Sequence, residues 1–193
     1  MQLITIIVII ATIIWLYILT ILKRAEIHGV FYWVGTIGFF LLITYFFHDP
    51  IFQLLSYLVS KIIEVIGQLT DLYSIKTNIH LIYVRSKLDL ILLNINYECS
   101  GVLELLVFVS LLIFYPIYSV LEKFFRLIEG FIWIITANIL RILLVILSLK
   151  YFGIDSLFLA HSIISRILFY ILIIILYYNV FTKQQIIKGW RNG

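Results

Sequence analysis

The sequence predicts an all-α polytopic membrane protein of five or six transmembrane helices with a small extracytoplasmic β-hairpin, and three observations lead there. Hydrophobic residues fill 64% of the 193 positions and charged ones 12%, with a mean hydropathy of +1.15, far from the usage of a soluble domain. The apolar residues fall in runs of about 20, the length a helix needs to cross roughly 30 Å of hydrocarbon. One stretch, 75–97, breaks the habit. There, polar residues alternate partly with Ile, Val, Leu and Tyr around Arg85-Ser86-Lys87, which is the pattern of a hairpin. Residues 1–193 thus form a single integral membrane domain with no room for a second, soluble one.

Residues 3–22 make the first span, closed by Lys23 and Arg24. It opens without a basic leader or a small-residue cleavage pattern, so it reads as a retained span rather than a signal peptide. Residues 29–47 make the second, with Tyr32, Trp33, Tyr45 and His48 as interfacial anchors near its ends. His48-Asp49-Pro50 is expected to end it, because proline lacks a donor and pushes the preceding residue out of the helical region. Residues 51–70 are apolar but interrupted by Gln53, Ser56, Ser60, Lys61, Glu64 and Gln68. They form either an amphipathic helix on the membrane surface or a further span. Lys61 and Glu64, three apart, would support one another on a helix face. The hairpin of 75–97 cannot lie in lipid with unpaired edges and should cap the helices. Spans over 101–120, 131–149 and 157–180 complete the chain, joined by 121–130, with Glu122, Lys123, Arg126 and Glu129, and by a short loop with Lys150, Gly153 and Asp155.

The net charge of +4 sits mainly at span ends, where it sets orientation in the bilayer and implies no nucleic-acid partner. With Lys123, Arg126, Lys183, Lys188 and Arg191 cytoplasmic, against Lys150 alone in the opposite loop, the positive-inside rule places the start of the third span outside. If 51–70 lies flat, Lys23 and Arg24 are cytoplasmic too and the N-terminus is outside. If it spans, the N-terminus is inside. The charge rule favours the first arrangement.

Cys99, the only cysteine, follows Asn96-Tyr97-Glu98 and opens the third span. A lone cysteine in an apolar protein commonly serves as a small buried hydrophobe. At a helix start, however, the positive end of the macrodipole favours thiolate. Ser100 and Gly101 leave room for a peptide backbone, and the free N–H groups there could stabilise an oxyanion. Glu98 opposes this by placing a carboxylate next door. Arg141, in the fourth span, costs about 2.5 to 3.5 kcal/mol if it meets lipid, so it must face protein, water or a counter-ion. Asn138 lies on the same helix face. Glu104 in the third span could pair with Arg141 as a purely structural ion pair, and Glu104 with Arg166 is the other candidate pair. His161, about 6 Å into the last span, is a candidate acid/base partner for the thiol, whereas Arg141 lies about 12 Å from the outer end of its span. His28, His48 and His80 have no ligand spacing, so no metal is expected, and the residues call for no other cofactor.

The order Cys99-Ser100-Gly101 at one span, Asn138-x-x-Arg141 in the next and His161 opening the last resembles the exosortase/archaeosortase family, in the short form found in Gram-positive bacteria. The resemblance covers about residues 50 to 180. In the family, Gly and Phe usually follow the histidine at the fourth and eighth positions; Ser165 and Phe169 stand there in this chain. The resemblance implies a membrane cysteine transpeptidase or protease with its active site outside the cell membrane. Its partners would be an exported protein with a C-terminal transmembrane sorting signal, the lipid bilayer, and a lipid or glycan acceptor in the envelope. Cys99 would be the nucleophile, His161 the acid and base, and Arg141 the group stabilising thiolate or oxyanion. The alternative is a non-catalytic membrane subunit of an envelope export or glycan-assembly system.

Overall fold

The computed structural model describes residues 2–70, 73–76, 81–85, 90–94, 100–154 and 157–191. Helix α1 (Gln2–Arg24) is an unbroken apolar run whose last turn carries Lys23 and Arg24, where cations complement the carbonyl end. Helix α2 (His28–Thr70) runs 43 residues, about 64 Å, with Pro50 inside it. His48-Asp49-Pro50 therefore does not end the second span, and 51–70 is the second half of α2. The reason is energetic. An interior proline costs about 3 kcal/mol, but beyond it Leu55, Val59 and Ile63 recur every fourth residue and are all buried. Each contributes roughly 1.5 to 3 kcal/mol. The expected Lys61–Glu64 pair forms at 2.8 Å.

Strands β1 (Ser74–Lys76), β2 (Leu81–Arg85) and β3 (Leu90–Asn94) form an antiparallel sheet in that order. The expected hairpin is the β2–β3 pair, in register Tyr83↔Leu92 and Val84↔Ile91. β1, added on the other side with Ile75↔Ile82, has no counterpart in the sequence reading. Ile82, Val84 and Ile91 face one way and pack with Val59 and Ile63 of α2 and with Ile142, Val145, Ile146 and Leu149. The Tyr73 hydroxyl, just ahead of β1, donates to the Ile63 carbonyl at 2.7 Å, and burial pushes its pKa up to about 12.

Helix α3 (Val102–Phe114) has 13 residues, about 20 Å, and so is shorter than the expected 101–120. Pro116 stops it. Ser119 and Glu122 form a reciprocal capping box, which starts α4 (Val120–Phe152) eleven residues earlier than expected. The expected loop of 121–130 is thus the first part of α4. There, Lys123 reaches the Ile113 carbonyl at the end of α3, and Arg126 pairs with Glu129 while lying 5.7 Å from the Tyr118 ring centre. The last helical stretch is continuous: a π-helical segment π1 (Phe158–Ile164), α5 (Ser165–Tyr177), π2 (Tyr178–Thr182) and α6 (Lys183–Arg191). Tyr115 and Tyr118 donate their hydroxyls to the Phe181 and Val180 carbonyls of π2.

Four helical stretches among the described residues are long and apolar enough to cross a membrane: α1, α2, α4 and 158–187. With α3 as a shorter apolar helix, the chain has the build of a multi-pass membrane protein. Close contacts fix its bundle. Trp15 of α1 lies over Gly38 and donates to the Val34 carbonyl at 2.9 Å, Gly35 lies under Phe114, and Gly130 under Phe108. A β-carbon at Gly130 would run into the Phe108 ring. Gly130→Ala is therefore expected to lower the unfolding free energy by about 2 kcal/mol, read from denaturant unfolding of the detergent-solubilised protein.

Candidate functional site

Two apolar clusters are stacked along α2 and α4. One joins Leu55, Val102, Leu106 and Ile135; the other is the sheet cluster, with Val59 and Ile142 at its near edge. Where the helices pass from one to the other, buried polar residues gather: Ser56 and Ser60 on α2, Ser100 ahead of α3, and Asn138 and Arg141 on α4. Ser165 on α5 is buried as well.

Gly101 makes the turn into α3 with φ of 75°, a left-handed conformation that a side chain would strain. Its Cα faces α4 so closely that an added β-carbon would lie 3.5 Å from Ile134 and 3.7 Å from the Asn138 amide. The Ser100 hydroxyl accepts from the Val102 N–H at 3.4 Å, a long bond that tucks Ser100 beneath the first turn. Asn138 is fully buried and Arg141, one turn on, is 5% exposed. The Arg141 guanidinium lies 5.6 Å from the centre of the Phe169 ring on α5, a cation–π contact worth about 2 kcal/mol where water is excluded. Ser100, Gly101, Asn138, Arg141 and Phe169 thus form a connected set across three helices.

His161 lies within π1, two turns before Phe169, and is half-buried. It borders an open depression of about 340 Å³ with Leu157, Phe158 and Ser162. Its carbonyl accepts from the Ser165 hydroxyl at 2.8 Å, while the Ser165 N–H reaches back to the Ala160 carbonyl. That five-residue reach is the π-type bond, a local widening found often at functional sites. Cys99, with Asn96, Tyr97, Glu98 and Asp155, lies outside the described residues, as does His80. Ion pairs among the described residues include His48–Asp49, Lys61–Glu64 and Arg126–Glu129, and Glu104, expected to pair with Arg166 or Arg141, is in none of these three. Glu104 instead occupies the first turn of α3, where the helix N-terminus favours a carboxylate. Among the described residues, His, Cys, Asp and Glu form no group of three that could hold a metal.

Ser56 is the residue that sequence reasoning missed. Thr12, Thr20, Thr70, Ser110, Thr136, Ser148 and Ser165 all turn their hydroxyls back to the carbonyl four residues earlier. The Ser56 hydroxyl is buried and has no such partner. The available signal was two serines four apart, Ser56 and Ser60, on the apolar face of α2. Comparison with family models, curated proteins and solved structures gave no match.

Burying a hydroxyl without a hydrogen bond costs about 1 to 3 kcal/mol. Ser56→Ala is accordingly expected to raise stability by about 1 kcal/mol, measured by chemical unfolding in micelles.

Proposed function

We propose that the chain is a membrane cysteine transpeptidase of the exosortase/archaeosortase type. It cleaves the C-terminal sorting signal of an exported protein at the outer face of the cell membrane and transfers the protein to a lipid or glycan acceptor. The observation that carries this reading is the seating of Ser100-Gly101 against Asn138, one turn from Arg141. Cys99 directly precedes that pair in the chain. Depth supports the outer location. Counted from Lys123, Arg141 is about 27 Å along α4, close to the far boundary of a hydrocarbon layer about 30 Å thick.

In this mechanism the Cys99 thiolate adds to the scissile carbonyl, and the oxygen takes up the electron pair as an oxyanion held by Arg141 and by N–H groups at the start of α3. Collapse breaks the C–N bond, with His161 giving its proton to the leaving amine, and leaves a thioester on Cys99. An acceptor nucleophile then attacks the thioester, loses its proton to His161 and releases the thiolate. Asn138 holds Gly101 and so positions the helix start.

The non-catalytic reading draws on a specific contact: Arg141 against Phe169 would pin α4 to α5 whatever Cys99 does. Co-expression with an exported protein ending in an apolar helix and a basic tail separates the two. Cys99→Ala is expected to insert and fold normally yet abolish processing. Arg141→Lys, which loses the planar fork, is expected to slow it roughly 100-fold. A membrane-impermeant maleimide should label Cys99 in whole cells. Undiminished processing by Cys99→Ala would sink the enzyme reading in favour of the structural one.

A further inference from the structure

We infer that the depression beside Pro50 binds a primary ammonium group. It measures about 330 Å³ and is walled by Thr44, Tyr45, Phe46, His48, Asp49 and Pro50 of α2 and by Leu103 in the first turn of α3. Its polar groups can accept hydrogen bonds, and none of its lining residues is Lys or Arg. The Asp49 carboxylate is 78% exposed and lies 3.1 Å from the His48 Nδ1. Pro50 has no N–H, so the helix supplies no i+4 donor to the Phe46 carbonyl. The Thr44 hydroxyl is buried without a hydrogen-bond partner, as are those of Thr36 and Ser56 on the same helix, but among these three only Thr44 lines this depression.

An ammonium brings three donors and no acceptor, the complement of a carboxylate, a carbonyl and a hydroxyl. The rings of Tyr45 and Phe46, also in the wall, favour a cation over their faces. A quaternary ammonium has no N–H to give and satisfies none of the oxygen atoms. The site therefore discriminates primary from quaternary amines. Two sources carry this chemistry: the headgroup of an ethanolamine phospholipid and a soluble amine. The inference rests on these walls alone and is independent of any role for Cys99.

The full chain in phosphatidylglycerol nanodiscs, titrated calorimetrically with ethanolamine, is expected to show saturable binding that choline does not compete with. Asp49→Asn should weaken it about tenfold, the loss of one charge-assisted hydrogen bond, and Asp49→Glu should retain it. Asp49 is exposed, so neither variant threatens the fold. Repeating the titration in nanodiscs containing phosphatidylethanolamine identifies the occupant. Suppressed ethanolamine binding assigns the site to the lipid headgroup, and unchanged binding assigns it to a soluble amine. Absence of saturable binding in phosphatidylglycerol, equal competition by choline, or wild-type affinity in Asp49→Asn would overturn the inference.

Discussion

The length mismatch between α3 and its neighbours is the constraint on which the rest of the molecule depends. Gly35 of α2 meets Phe114 at the end of α3, and Leu55 of α2 packs with Val102 at its start. Likewise Gly130 of α4 meets Phe108, and Asn138 meets Gly101. Helices α2 and α4 therefore run parallel to one another and antiparallel to α3, and both continue past its first residue. An α3 of about 20 Å leaves a ledge between two helices that rise on either side. The sheet fills it, with Ile82, Val84 and Ile91 packed on the parts of α2 and α4 that α3 does not cover. A membrane segment too short for the bilayer thus becomes the floor for a β-structure that could not exist in lipid.

The ledge also accounts for where the polar residues lie. The start of a helix carries four N–H groups without intrahelical acceptors, and here that start is enclosed by α2 and α4. The Ser100 hydroxyl meets part of that requirement by accepting from the Val102 N–H, and Asn138 is buried at the same level. Arg141 joins the same layer, one turn higher on α4. Its Phe169 contact offers the guanidinium a protein surface, so the penalty of about 2.5 to 3.5 kcal/mol for an arginine facing lipid at mid-bilayer does not arise.

Much of this was legible in the residues. The apolar runs identified the long helices, and the alternation around Arg85-Ser86-Lys87 identified the β2–β3 pair. What failed was punctuation. Pro50 reads as a stop and Pro116 passed unnoticed, yet the structure reverses their weights. Local chemistry is similar at the two prolines, but burial after each differs. Leu55, Val59 and Ile63 follow Pro50 at helical spacing and all reach a core. Pro116 is followed at once by Ser119 and Glu122, which cap a new helix. The Glu104–Arg166 pairing rests on charge alone, and opposite charges in two spans do not reveal the rotation of either helix. Cys99 falls outside the described residues, so the sequence alone speaks for its position.

Helix rotation also bears on the last span, where the π1 segment has a geometric effect that no reading of spacing contains. In a regular α-helix, His161 and Phe169 would be about 80° apart around the axis, since eight residues turn through roughly 800°. A π-type turn closes on the fifth residue and advances only about 80° per residue. With three of the eight steps so widened, the separation falls to roughly 20–30°. His161, Ser165 and Phe169 then share one side of the helix, the side on which Phe169 meets Arg141. The Ser165 hydroxyl on the His161 carbonyl occupies an acceptor in this altered turn. At the far end of α5, Tyr115 and Tyr118 perform the same service for π2 by taking the Phe181 and Val180 carbonyls. Fixing the span at both π segments sets its rotation, and with it the packing of Phe169 on Arg141.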